Sequence, residues 1–160
     1  MNASAPQINP ADSLSEEHKA ASHLIELLKR EQTELVAAKI DGLIDLSEKK
    51  SSAVSQMMQL ANTRHRKLAS AGFASSEKGM QDWMKSSAAK PDVKKLWAEL
   101  IAYARSAKEL NRINGILITK HMMRNQTALN VLNVNVPGGN FYGPDGQSTG
   151  KTVSRNLVIG

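Results

Sequence analysis

The spacing of apolar side chains along the chain predicts three main helices. Over about residues 13–38, apolar residues recur every three or four positions, which places them on one helix face. A second run of this kind covers about 42–70, and a third, the longest, covers about 92–132. The third stripe is Val93, Trp97, Leu100, Ala104, Ala107, Asn111, Asn114, Ile118, His121, Asn125, Ala128 and Leu132. The chain is therefore expected to be all-α.

A turn near residue 40 predicts that the first two helices form an antiparallel hairpin. Asp41 is a good N-cap residue and Gly42 is a poor residue for a helix interior. Residues that face each other across such a hairpin have numbers that sum to 81, and this rule brings Glu31 to Lys50 and Glu17 to Arg64. A single continuous helix would hold Glu31 and Lys50 ~28 Å apart. The opposite charges therefore favour the hairpin and would fix its register.

The segments outside these helices divide the chain further. Residues 1–12 are polar, contain two prolines and are expected to be a disordered N-terminal extension. The connector 72–91 has room for a short helix around Glu77–Lys85, and Gly72 is suited to end the helix before it. Residues 134–160 lack the apolar content to fold alone, so we expect a flexible C-terminal tail that binds a partner. The predicted fold is a helical hairpin plus a long third helix, a three-helix coiled-coil-like bundle with a tail.

The asparagines on the stripe of the third helix have two interpretations. Asn111, Asn114 and Asn125 occupy positions where an apolar side chain would be usual. In a coiled coil a buried Asn fixes register and partner number at some cost in stability. Alternatively, the amides mark a surface that a partner strand or helix completes. Gly115 suggests close approach of another backbone, or is simply tolerated on a solvent face.

The tail carries one aromatic pair, Phe141 and Tyr142, directly before a strong turn signal at Gly143–Gly146. A lone aromatic in a tail usually packs back on its own domain. The segment around Tyr142 is otherwise too polar to dock, so Tyr142 is also a candidate anchor for a partner.

The net charge of +6 lies entirely in the second half of the chain. Residues 1–80 hold ten basic and ten acidic side chains, whereas residues 81–160 hold eleven against five. A segment with this excess of basic side chains could bind nucleic acid. The basic residues are spaced singly, however, and no aromatic residues alternate with them as a binder of single strands requires. A solvated helix face is the simpler explanation, and no nucleic-acid partner is expected.

The residue inventory argues against an enzyme, a metal site or a bound cofactor. The chain has no cysteine, and its four histidines are scattered without the spacing of metal ligands. Phosphate-loop and nucleophile-elbow motifs are missing. The N-terminal residues do not form a secretory signal, and no apolar run of ~18 residues exists that could insert stably in a membrane.

Three stretches together resemble the FlgN family of flagellar type III export chaperones. The first is Leu46-Ser-Glu48-Lys-Lys50, which is generic to coiled coils. The second runs from Leu110-Asn111 through Asn114-Gly115 and Arg124-Asn125-Gln126 to Ala128-Leu129 and Val131-Leu132. The third is the tail motif Tyr142-Gly143-x-Asp145-Gly146-Gln147. In this order they are specific, and the resemblance covers about residues 14–150.

The resemblance implies a cytoplasmic chaperone that works without ATP. Its clients would be the hook–filament junction proteins, FlgK-like and FlgL-like, held unassembled until export. The resemblance implies that the C-terminal part holds the client, here through Asn111, Asn114, Gly115, Ile118, Asn125, Leu129 and Leu132. It also implies that Tyr142, with Gly143, Asp145 and Gly146, docks on the cytoplasmic domain of the export-gate protein FlhA. Two other hypotheses remain open, a basic helical nucleic-acid binder and a structural coiled-coil dimer.

Overall fold

A computed structural model describes residues 8–134, and every regular element in that range is helical. Helix α1 spans Leu14–Val36, α2 spans Leu43–Ser70, α3 spans Glu77–Met84 and α4 spans Pro91–Val134. The all-α prediction is therefore confirmed. By its internal contacts the chain divides into two units, residues 1–119 and 120–160, and α4 begins in the first unit and ends in the second. Each unit is described by itself.

The hairpin of α1 and α2 has the register predicted from the charges. Lys50 Nζ donates to Glu31 Oε1 at 2.8 Å, and Arg64 Nε donates to Glu17 Oε1 at 3.1 Å. Both predicted pairs are thus confirmed. Three of the four side chains in these pairs, Glu17, Arg64 and Glu31, are at most 4% exposed, so the pairs are largely buried. Buried charges are costly unless paired, so a shifted register would leave them uncompensated.

The ends of α1 and α2 share one hydrogen-bond pattern. At the end of α2, Phe73 N donates to Leu68 O and Gly72 N donates to Ala69 O, which is a Schellman motif with Gly72 at φ +84°. At the end of α1, Lys39 N donates to Glu34 O and Ala38 N donates to Leu35 O. Ala38 has φ +54°, a conformation that disfavours residues with a Cβ. The sequence pattern had extended α1 to residue 38, whereas the helix ends at Val36.

The core consists of two clusters along the bundle. The first joins all four helices and centres on Leu14, Leu68, Met80, Trp83, Trp97 and Leu100. The second joins α1 and α2 through Leu24, Leu27, Leu28, Leu46 and Ala53, with Ala107 and Leu110 of α4 packed against it. Helix α4 therefore joins the bundle further than Ala107, where the sequence stripe turns polar.

The predicted short helix is present as α3 and contributes to the core. Ser76 caps it by accepting a hydrogen bond from Gly79 N at 3.1 Å. Met80, Trp83 and Met84 are buried against the first cluster. Gly79 lies against the preceding loop, since a Cβ there would overlap the carbonyl of Ala74.

Residues 8–12, which the sequence suggested to be disordered, pack against the bundle. Pro10 is fully buried and Ala11 contacts the first core cluster. Lys67 Nζ donates to Asp12 Oδ2 at 2.7 Å. The burial of Pro10 and the packing of Ala11, together with the ion pair of Lys67 and Asp12, explain why this segment packs against the bundle. Residues 1–7 lie outside the described range.

Candidate functional site

The seven residues predicted to hold a client lie on α4 and differ sharply in exposure. Asn111, Gly115 and Ile118, in the first unit, are exposed, whereas Asn114 is 1% exposed. Asn125, Leu129 and Leu132, in the second unit, are all exposed. Six of the seven side-chain positions are thus accessible to a partner.

Asn114, which the resemblance assigned as a client contact, is buried and makes structural contacts within the bundle. Its Nδ2 donates to Leu28 O at 2.9 Å and to Glu31 Oε2 at 2.8 Å. Glu31 accepts in turn from Lys50, so one polar chain links α4, α1 and α2. This corresponds to the register-fixing interpretation of a buried Asn. A short amide at this position satisfies a backbone carbonyl and a buried carboxylate at once.

Gly115 lies in open space. A Cβ built on it has no described neighbour within 4 Å, so close approach of another part of the bundle does not explain the glycine. Its carbonyl accepts a hydrogen bond from Thr119 Oγ1 at 3.0 Å. Among residues 8–134, Gly115 is therefore a surface position where another chain could approach closely.

The segment 120–134, considered by itself, is a helix with unusually many exposed apolar side chains. The exposed ones are Met122, Met123, Leu129, Val131, Leu132 and Val134. Met122, Asn125, Leu129 and Leu132 recur at intervals of three and four, so they share one helix face. An exposed apolar face of this kind marks an interaction surface.

The apolar stripe predicted from the sequence contains His121 rather than Met122. His121 is only partly exposed, whereas Met122 is 67% exposed. The sequence spacing could have identified Met122, because this residue follows Ile118 by four positions and precedes Asn125 by three. Methionine is flexible and polarizable, which suits a surface that adapts to its partner.

A second polar cluster joins all four helices at the other end of the bundle. Glu17 accepts from Ser13 Oγ at 2.8 Å and from Arg64 Nε, and Arg64 Nη2 also donates to Glu77 Oε1 at 3.0 Å. The Arg64 guanidinium lies over the Trp97 ring, 4.9 Å from its centroid. These contacts hold the four helices together at this end of the bundle.

The histidines in the first unit with described partners have structural contacts. His18 Nε2 lies 2.9 Å from Glu99 Oε2, with the Tyr103 ring 5.0 Å away, and His65 Nε2 lies 3.2 Å from Glu77 Oε1. Across the part of the chain that the structure describes, no group of three or more His, Asp or Glu side chains could hold a metal ion. In the same range no helix has the length and apolar character to cross a membrane.

The predicted gate-docking residues Tyr142, Gly143, Asp145 and Gly146 lie outside the described residues, as does the rest of 135–160. Their assignment stays a prediction.

Comparison with known proteins supports the family resemblance that the three sequence stretches indicated. Residues 8–150 match the family described as FlgN protein. A relative from Yersinia enterocolitica, named flagella synthesis protein FlgN, is 29% identical over 136 residues, which cover 81% of this chain and 85% of the relative. The protein of the same name from the serotype O:8 / biotype 1B strain is similar to the same extent. No solved structure matches the chain.

Proposed function

Since the chain belongs to the FlgN family, we propose that it is a cytoplasmic flagellar export chaperone without catalytic activity. It binds hook–filament junction proteins, prevents their premature assembly and delivers them to the type III export gate. The observation that carries this proposal is the exposed apolar face of residues 120–134, of which Met122, Leu129 and Leu132 are each more than half exposed. The name of the Yersinia relatives, which refers to flagella synthesis, supports the same process.

In the second unit the client surface consists of Met122, Asn125, Leu129 and Leu132. Asn111, Gly115 and Ile118, in the first unit, are separate proposed client contacts. An amphipathic client helix would place its apolar stripe on the leucines and methionine, as in helix-in-groove recognition. The asparagine amides would then satisfy polar groups at the rim of the contact. Asn114 acts indirectly, because its buried amide holds α4 to α1 and α2.

The clients are FlgK-like and FlgL-like junction proteins. Such a protein must remain unassembled before export, so its assembly helix needs a temporary cover. A single exposed helix face provides a modest contact area, which favours release when the client is exported.

Tyr142, with Gly143, Asp145 and Gly146, docks on the cytoplasmic domain of the export-gate protein FlhA. The turn chemistry of this segment would present the tyrosine ring to a partner, and tyrosine provides large contact area with two side-chain torsions.

Co-purification of variants of the full chain tests both contacts. Leu129→Glu is expected to abolish recovery of a co-expressed junction protein, because it places a charge in the centre of the apolar face. Tyr142→Ala is expected to keep the junction protein and to weaken binding to the FlhA domain. Unchanged recovery with Leu129→Glu would refute the client surface, and unchanged FlhA affinity with Tyr142→Ala would refute the gate contact.

The two other functions predict different measurements. A nucleic-acid binder would lose affinity steeply with salt, with a slope of about −0.9 per phosphate contact. A structural dimer would appear in light scattering of the isolated chain. Neither has a specific contact in residues 8–134 that favours it.

A further inference from the structure

A groove lies open between α2 and α4 in the first unit, and Asn111 is the one proposed client-contact residue that lines it. Val54, Met57 and Met58 line its α2 side, and Ile101, Ala104 and Ala107 line its α4 side. This part of the groove has a volume of about 480 Å³. An adjoining pocket of about 390 Å³ continues it past Val54 and Ala107 to Asn111. Met58 and Val54 are exposed in it, at 62% and 41%.

The dimensions of the groove fit a helix. Its lining residues on α2 extend from Ser47 to Arg64, which is ~26 Å at ~1.5 Å per residue. The alanines on α4 permit close approach of a second helix, and the methionines on α2 can adapt to its side chains. Helices α1, α2 and α4 thus form three sides of a bundle in which the position between α2 and α4 is open.

The two edges of the groove differ in charge. On α4, Lys94, Arg105, Lys108 and Arg112 recur beside Ile101 at helical spacing and form a basic edge. Arg112 pairs with Glu109 at 2.7 Å, and its hydrogen bond lowers the pKa of that carboxyl. Lys94, Arg105 and Lys108 have no ion pair within residues 8–134. On the α2 side the groove is lined by Ser47, Ser51 and Lys50, and Lys50 is neutralised by Glu31. Glu17 and Glu77 also line the groove, and both pair with Arg64.

Arg64 lies at one end of the groove, where it pairs with Glu17 and Glu77. It lines the groove, is 2% exposed, and its Nη1 atom has no hydrogen-bond partner in the described part of the chain.

We infer that the groove docks an amphipathic helix of a partner polypeptide, with an apolar stripe and acidic side chains on the edge that faces α4. The charge of the groove selects this occupant over the chain itself. Residues 135–160 carry one acidic side chain, Asp145, against two basic ones, Lys151 and Arg155. A second copy of the chain would bring a net charge of +6 towards the basic edge. The inference does not depend on what residues 120–134 bind.

Fluorescence anisotropy with two synthetic helical peptides of about 18 residues tests this inference on the full chain. Both peptides carry the same leucine stripe, and one carries glutamates along one edge where the other carries lysines. The acidic peptide is expected to bind at least about tenfold more tightly at low salt, since close opposite charges favour association. The double variant Arg105→Glu, Lys108→Glu is expected to reverse this preference.

Two alanines of α4 provide a matched pair of groove variants. Ala104→Glu places a charge in the groove and is expected to weaken the acidic peptide at least about tenfold. Ala102→Glu makes the same change at an exposed position that does not line the groove. Because the new carboxylate would lie one turn from Arg105, it is expected to weaken binding slightly, and much less than Ala104→Glu does. Circular dichroism of both variants should match that of the original chain, since both alanines are exposed.

Three results would overturn the inference. The first is that the chain binds neither peptide, or both equally. The second is that Ala102→Glu weakens binding as much as Ala104→Glu. The third is a dimer in light scattering that Ala104→Glu converts to a monomer, because a second copy would then occupy the groove.

Discussion

Asn114 on α4 donates a hydrogen bond from Nδ2 to Oε2 of Glu31 on α1 at 2.8 Å, and both residues are buried. The same carboxylate accepts from Lys50 on α2, so three helices meet at one buried charge. Glu31 requires its partners, because a buried carboxylate without donors is strongly destabilising. The relationship fixes how α4 lies on the hairpin.

Asn114→Ala is expected to lower the free energy of unfolding by about 1–3 kcal/mol, because it removes donors from the Leu28 carbonyl and from Glu31. Urea denaturation followed by circular dichroism measures this. Asn111→Ala, on an exposed position of the same helix, serves as the control and should change stability by less than about 0.5 kcal/mol. Equal effects of the two substitutions would contradict the structural role of Asn114.

Glu17→Leu is expected to destabilise the fold by about 3–5 kcal/mol, since it leaves the buried Arg64 with only its partly exposed partner Glu77. The double variant Glu17→Leu, Arg64→Met should be more stable than Glu17→Leu alone, because no uncompensated charge remains. A double variant that is less stable than the single one would show that the remaining contacts of Arg64, with Trp97 and Glu77, outweigh the cost of burying its charge without Glu17.

Two glycines of the first unit should respond to the same substitution with opposite sign. Gly79→Ala is expected to destabilise by about 1–3 kcal/mol, because the added Cβ overlaps the Ala74 carbonyl. Gly115→Ala is expected to stabilise by about 0.5–1 kcal/mol, because it is a helix-interior position with open space around it. Thermal unfolding of the two variants tests the pair, and a loss of stability in Gly115→Ala would contradict its surface position.

Ala38→Gly is expected to stabilise the chain by about 1 kcal/mol, because Ala38 has φ +54° at the end of α1. Ala37→Gly is the control, since Ala37 has φ −78° and gains nothing from glycine. Chemical denaturation of both variants measures the difference. Equal changes would mean that the conformation of Ala38 is not strained.

The register of the hairpin was predictable because it depends on charges that pair across a turn of known position. Four charged residues lie on otherwise apolar stripes: Glu17, Glu31, Lys50 and Arg64. Pairing them across the hairpin is the arrangement that leaves no buried charge without a partner. The burial of Met80 and Trp83 in α3 was less predictable, since a short helix between loops has too few positions for a clear periodicity.

The exposure of the second half of α4 was easier to predict from the sequence than the burial of individual residues on its stripe. The stripe of α4 contains Leu132 and the family resemblance adds Leu129, and both residues are exposed. The stripe could not separate Asn111 from Asn114, because the two lie on the same stripe and only the packing against Leu28 and Glu31 distinguishes them. The groove between α2 and α4 was not predicted from the sequence, for a related reason. Val54, Met58 and Ala61 form a second apolar stripe on α2, which lines the groove and belongs to neither core cluster.

Size-exclusion chromatography of the full chain co-expressed with a FlgK-like junction protein tests the central claim most directly. We expect the two to elute together, and Leu129→Glu to separate them while the circular dichroism of the chain stays unchanged. Asn130→Glu, an exposed neighbour outside the apolar face, should elute with the junction protein as the original chain does. Separate elution of the original chain and the junction protein, or co-elution that Leu129→Glu leaves intact, would contradict the account.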